Sequence, residues 1–254
     1  MDNFIDIIAL NKSYIYYFFL YFLRWLIFIY YIPFFGYLVI PPIIKISIAA
    51  IFSIISLIVF TVENIDYLSL GLFFILLLKE IFIGCFIGFL INLIFTMYEY
   101  TGQIIDIVRG ANNSQVFIPQ TKHQSLAIAS MLFQIIILLS FSLGWHREIM
   151  ALLYDSFIIF PVFDNNLSLN NLWLLLLKSL SNFFNISFKL AMPIIGFCII
   201  IDLLFGLLNR ISPQINAYFL SLPLKMFIGL IGFFCLTFFL IDYAIKNKIN
   251  IYFL

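Results

Sequence analysis

Apolar runs as long as a bilayer is thick, or longer, leave this chain very little choice of solvent. The first covers roughly Tyr14 to Ile32 and is ended by Pro33 and Gly36, enough for one span at about 20 residues per bilayer. Pro41-Pro42 opens a second run to about Val62, since proline fits a first helical turn. Glu63, Asn64 and Asp66 form a short polar connection. The third run starts near Tyr67 and stays compatible with a helix to about Arg109. Some 40 residues at about 1.5 Å each extend roughly 60 Å, about twice a hydrocarbon core, so this element is expected to kink, split or project beyond the membrane. A fourth run covers Ser125 to Trp145, followed by an amphipathic stretch from His146 to Phe160 that Pro161 stops. A fifth, interrupted by Pro193, covers Leu169 to Ile211, and a sixth Gln214 to about Ala244. With 65% hydrophobic and 10% charged residues, against about a quarter charged in soluble domains, polar residues are too few to cover a water-facing surface. The expected fold is an all-α membrane protein of about six to eight long, partly broken helices arranged as hairpins, forming one domain over residues 1–254.

Ionisable side chains inside these runs narrow the reading further. Arg24 lies in the first, Lys45 in the second, and Lys79 and Glu80 in the third; Lys178, Lys189, Asp202 and Arg210 lie in the fifth and Lys225 in the sixth. Each would cost about 2.5–3.5 kcal/mol facing lipid at the bilayer centre, which together rivals the whole stability of a typical protein. They must therefore meet protein or water. Internal pairing is one solution, for example Asp202 with Arg210, or Glu80 with the neighbours of Lys79. A water-filled passage is a second. Contact with partner subunits is the third, and the number of charges relative to the size of the chain favours it.

The third run carries a finer pattern. Glu80, Gly84, Gly88, Asn92, Thr96, Glu99, Gln103, Asp106 and Gly110 recur at steps of three or four, which places them on one drifting face of a helix. Their mean step, slightly above 3.6, favours a right-handed wrap around neighbours. Gly84-x-x-x-Gly88 suits close approach of two backbones, whereas packing alone explains Glu99, Gln103 and Asp106 poorly. Beyond Arg109, Gly110 can end the helix in a left-handed conformation. Asn112, Asn113, Ser114 and Gln115 follow, then the apolar patch Val116-Phe117-Ile118 and Pro119. A loop of about 15 residues between two apolar helices is longer than most connections, and such loops are often functional.

Other function classes find little footing. The net charge of +1 gives no electrostatic basis for binding nucleic acid. Neither His123 nor His146 sits in a metal-ligand spacing, and no phosphate-binding loop or nucleophile elbow occurs. Asp106 and Asp202 could be imagined as an intramembrane aspartyl pair, but no surrounding motif supports this. Cys85, Cys198 and Cys235 read as small hydrophobes in apolar runs. No enzyme activity, cofactor or metal is expected. The N-terminus lacks the basic start and cleavage site of a signal peptide and is expected to be retained. A stand-alone secondary transporter or small channel is the alternative reading, since broken helices and membrane-depth charges would suit it; the repeats it should show are not visible.

From Leu190 onward, Pro193, Asp202, Gly206, Asn209-Arg210, Pro213-Gln214, Asn216, Pro223 and Lys225 together resemble the C-terminal half of the SctT/FliR family of type III secretion export-apparatus subunits. A second block resembles the same family: Lys79-Glu80, Gly84, Gly88, Gly102, Asp106, Arg109-Gly110 and Pro119, then Gln134 and Ser156 to Pro161. Asp106-x-x-Arg109-Gly110 looks more like the virulence, or injectisome, branch than the flagellar one.

The resemblance implies a multi-pass subunit of the bacterial inner membrane, within the basal body of a secretion system. It would join SctR/FliP-type and SctS/FliQ-type partners in a helical, cone-like gate that carries unfolded proteins towards the needle or rod. An SctU/FlhB-type switch protein and an export gate with its ATPase would lie upstream. The family's plug maps to the loop after Arg109-Gly110, within residues 110–124. A polar face lining the lumen or meeting neighbouring subunits would comprise Lys79, Glu80, Asn92, Glu99, Gln103, Asp106, Asp202, Arg210, Gln214, Asn216 and Lys225. Gly84, Gly88, Gly102 and Gly206 would mark close helix packing.

Overall fold

The computed structural model describes residues 2–36, 40–60, 69–111, 115–117, 124–163, 169–212, 214 and 216–246. Eight helices account for nearly all of them: α1 (Asp2–Tyr31), α2 (Pro33–Gly36), α3 (Pro42–Val59), α4 (Leu70–Val108), α5 (Ala127–Ser142), α6 (Trp145–Ile159), α7 (Leu169–Ile211) and α8 (Ala217–Lys246). Five are long and apolar enough to cross a membrane, or six if the consecutive pair α5 and α6 is counted as one span. The helical membrane fold expected from the sequence is therefore present. α4 is a single helix of 39 residues, about 58 Å at the usual rise. Of the three outcomes open to it, splitting is excluded. α7 likewise runs unbroken through Pro193.

The connection after α4 is not wholly irregular. Two three-residue strands, β1 (Gln115–Phe117) and β2 (Gln124–Leu126), pair antiparallel with Val116 opposite Ser125. Val and Phe favour extended backbone, and pairing supplies the hydrogen bonds that a short apolar segment between helices otherwise lacks.

The chain divides into two compact units. Residues 1–92 and 147–172 form the first, and residues 93–146 and 173–254 the second. In the first, α1 supplies the largest buried side chains, among them Leu20, Trp25, Phe28 and Ile29. α3 turns Lys45, Ala49, Ser53 and Ser56 inward and Ile43, Ile51, Ile54 and Ile58 outward. This inverts the amphipathic rule of a soluble helix. Small and hydroxyl-bearing residues let helices approach and bond without water: Trp25 Nε1 donates to Ser56 Oγ at 2.9 Å, and Ser53 Oγ donates to the Phe18 carbonyl at 3.0 Å. The Trp25 ring stacks on Phe52 at 4.6 Å. In the second unit the same logic recurs. Ser187 Oγ of α7 donates to the Met97 carbonyl of α4 at 3.1 Å, while Leu203, Leu207, Phe227 and Phe238 of α7 and α8 stand exposed.

Candidate functional site

Two buried ion-pair systems organise the residues singled out by the sequence, one in each unit. In the first, Arg24 and Glu80 have no exposed side-chain surface. Arg24 Nη2 donates to Glu80 Oε1 at 2.8 Å and Nε to Oε2 at 2.5 Å, a two-pronged contact that matches the fork of guanidinium to carboxylate. The remaining donors reach the end of α6. Nη1 bonds the Ser156 carbonyl at 3.0 Å, and Nη2 bonds the Phe160 carbonyl at 3.0 Å. Lys79 Nζ donates to the next carbonyls, Pro161 at 2.8 Å and Val162 at 3.1 Å. The Ser156 carbonyl also accepts the Phe160 N–H at 2.9 Å, and the C-terminal end of a helix carries partial negative charge that the two cations offset. The Arg24 guanidinium also lies 4.2 Å from the centroid of the Phe157 ring.

This arrangement forces helices close together. A Cβ on Gly84 would lie 2.9 Å from the Arg24 carbonyl oxygen, and one on Gly88 2.6 Å from Tyr31 Cβ. Both glycines allow α4 to run against α1, and so permit Glu80 to meet Arg24. Lys45 is buried with its ammonium 4.7 Å from the Tyr30 ring centroid, a favourable cation–π arrangement.

In the second unit Asp106 is fully buried. Its Oδ1 accepts Arg109 Nε at 2.7 Å, and its Oδ2 accepts the backbone N–H groups of Ile128 at 2.9 Å and Ala129 at 3.2 Å. Leu126, the residue before α5, offers no side-chain cap. A carboxylate from α4 therefore caps α5 instead, where negative charge is favoured. Gly102 permits the approach, since a Cβ there would sit 2.4 Å from Ala129 Cα. Gly110 takes φ +78°, the left-handed conformation expected where α4 ends. The stem of Arg109 lies on α8, with Cδ 2.7 Å from where a Cβ of Gly229 would be.

Lys225 of α8 is mostly buried and forms an ion pair with Asp202 of α7. This corrects the expected pairing of Asp202 with Arg210: eight residues along a helix separate two side chains by about 12 Å, and the neighbouring helix provides the nearer cation. Glu80 likewise pairs with Arg24, a residue the sequence marked as a buried charge without assigning it a partner.

The remaining sequence-selected residues divide by exposure. Glu80 and Asp106 are enclosed by the chain itself, while Asn92, Glu99 and Gln103 are half-buried on α4. Asp202 keeps 53% of its side chain exposed, and Arg210, Gln214 and Asn216 are exposed. Gly206, expected to mark close packing, faces open space: among the described residues nothing lies within 4 Å of a Cβ built there. Its spacing from Asp202 and Arg210 is right for one helix face, but no described residue supplies the surface opposite. Of the loop residues, Asn112, Asn113, Ile118 and Pro119 lie outside the described residues, and Val116 and Phe117 are described by their backbone in β1. A groove of about 530 Å³ between α7 and α8 is lined by Lys189, Pro193, Phe197, Ile231 and Cys235 among others. No group of side chains able to hold a metal ion occurs among the described residues.

The sequence matches the family described as bacterial export proteins, family 1, over residues 15–248. The flagellar biosynthetic protein FliR of Buchnera aphidicola subsp. Schizaphis graminum is 33% identical over 170 residues, covering 66% of this chain and 64% of that protein. FliR of Aquifex aeolicus is 31% identical over 204 residues, covering 78% and 76%. The Yop proteins translocation protein T of Yersinia pestis is 28% identical over 167 residues, covering 65% and 64%. The match thus spans just under two thirds of the length of the Buchnera relatives. The matched residues run from the first span to beyond the end of α8 and include both ion-pair systems, and the chain belongs to the bacterial export proteins of family 1, the SctT/FliR family.

Proposed function

We propose that this chain is a core subunit of a type III secretion export gate in the bacterial inner membrane. In this reading it assembles with SctR/FliP-type and SctS/FliQ-type subunits around a channel for unfolded proteins, and an SctU/FlhB-type switch protein docks on the assembly. The observation that carries the reading is the outward face of α7. Asp202, Gly206 and Arg210 stand exposed there among Leu203, Leu207 and Ile211. A half-exposed carboxylate beside an open glycine on a greasy helix is costly against lipid and is suited to another protein helix. Family membership supports the same reading. Relatives of both flagellar and Yop-translocation type match at similar identity, and Asp106-x-x-Arg109-Gly110 is the feature favouring the injectisome branch.

The segment from Gly110 to Pro119 acts in this proposal as the closed-state plug. Its position between the end of α4 and the start of α5, which the Asp106 carboxylate joins through the Ile128 and Ala129 amides, supports this reading. The half-buried Asn92, Glu99 and Gln103, with the exposed Gln214 and Asn216, are the residues proposed to meet the lumen or neighbouring subunits. Deleting residues 112–118 in cells that assemble the gate should raise the ion conductance of the inner membrane. Unchanged conductance with the complex intact would remove the plug from the account.

A further inference from the structure

We infer that Asp106 is a positioning residue that fixes both roots of the segment between α4 and α5, with Arg109 as its counter-ion and Gly229 as the seat of that arginine. The inference rests on the plug reading of that segment and adds what holds it in place.

A single buried carboxylate governs both helix ends. Asp106 lies in the last turn of α4, where a negative charge is disfavoured by the helix dipole. Arg109, three residues on, offsets it through Nε. The other oxygen takes the Ile128 and Ala129 amides, which are the second and third residues of α5 and have no donor role inside that helix. No side chain at the start of α5 competes for this task. Arg109 is held in turn against the bare backbone of Gly229. Replacing that glycine would displace the guanidinium and, through it, the carboxylate. The outgoing chain turns at Gly110 with φ +78°, and the returning chain enters α5 directly after pairing in β2. Departure and return of the segment are thus tied by the Asp106 carboxylate at the helix ends and by the β1–β2 pairing beyond them. Loss of the carboxylate would remove the side-chain tie between α4 and the start of α5, while the β1–β2 pairing and the Gly102–Ala129 contact remain.

Asp106→Ala, Asp106→Asn and Arg109→Lys variants of the assembled complex separate this role from a merely structural one. Amide exchange at Ile128 and Ala129 is read by mass spectrometry, and membrane conductance is measured in parallel with the 112–118 deletion. Asp106→Ala should speed exchange of the two amides roughly threefold to thirtyfold, the range expected for loss of a helix cap, and raise conductance. Asp106→Asn, whose amide oxygen can still accept, should give a smaller change in both, and Arg109→Lys should fall between Asn and the parent. If the deletion leaks and Asp106→Ala does not, the positioning role is overturned and the plug stands. If the deletion does not leak, the plug reading fails, and the exchange data alone decide whether Asp106 holds the start of α5. Unchanged exchange at both amides overturns the inference in either case. Should Asp106→Ala prevent assembly, the graded response of Asp106→Asn and Arg109→Lys carries the same decision.

Discussion

Arg24 shows how a charge that lipid would reject becomes a structural asset. It is fully buried, yet its guanidinium meets a carboxylate in α4 and two carbonyls at the end of α6. Breaking a buried pair by removing one partner leaves the other uncompensated, at a cost of about 3–5 kcal/mol. Glu80→Ala should therefore lower the thermal midpoint of the detergent-solubilised protein sharply. The double replacement Arg24→Met with Glu80→Leu should be milder than either single change, because no charge is stranded, although the Phe160 carbonyl loses the Arg24 donor. Equal loss in single and double variants would contradict this assignment. The presence of membrane-depth charges could be read from the sequence, but their pairing could not. Arg24 and Glu80 lie 56 residues apart, and only the approach of α1 to α4 joins them. The Asp202–Lys225 pair was missed for a related reason: proximity along the chain favoured Arg210, while the fold brought α8 alongside.

Among the helices, glycine position decides which faces touch. Gly84 and Gly88 admit α1 against α4, and Gly102 admits α5. Gly102→Val would overpack its contact, at about 1–3 kcal/mol or more, and should destabilise the isolated chain in a thermal scan. Gly206→Val should leave the isolated chain unchanged, since its Cβ would meet none of the described residues, but reduce recovery of the assembled complex. A loss of stability in the isolated chain from Gly206→Val would mean that α7 packs differently. The drifting small and polar face of α4 was legible because its residues recur at helical spacing, and the left-handed end at Gly110 because glycine alone adopts it freely. The β1–β2 pairing was not legible. Three-residue strands carry too little periodicity to be read from sequence, and the cap at α5 comes from a residue more than twenty positions earlier.

At the scale of the molecule, the distribution of apolar surface bears most on function. α3 presents isoleucines outward while burying a lysine and two serines, as a helix does when its surroundings are apolar. α7 and α8 expose Ile199, Leu203, Phe227 and Phe234 beside the polar Asp202 and Arg210. Lipid accommodates the first set and rejects the second, whereas partner helices can accommodate both. Expressed with SctR- and SctS-type partners, the chain should be recovered in their company; expressed alone, it should associate non-specifically through this face. The test closest to the central claim is photo-crosslinking in intact bacterial membranes from probes at Leu203, Gly206 and Leu207 of α7. Discrete adducts with neighbouring export-apparatus subunits are expected at these positions. Adducts with lipid alone, in cells that secrete normally, would contradict that claim.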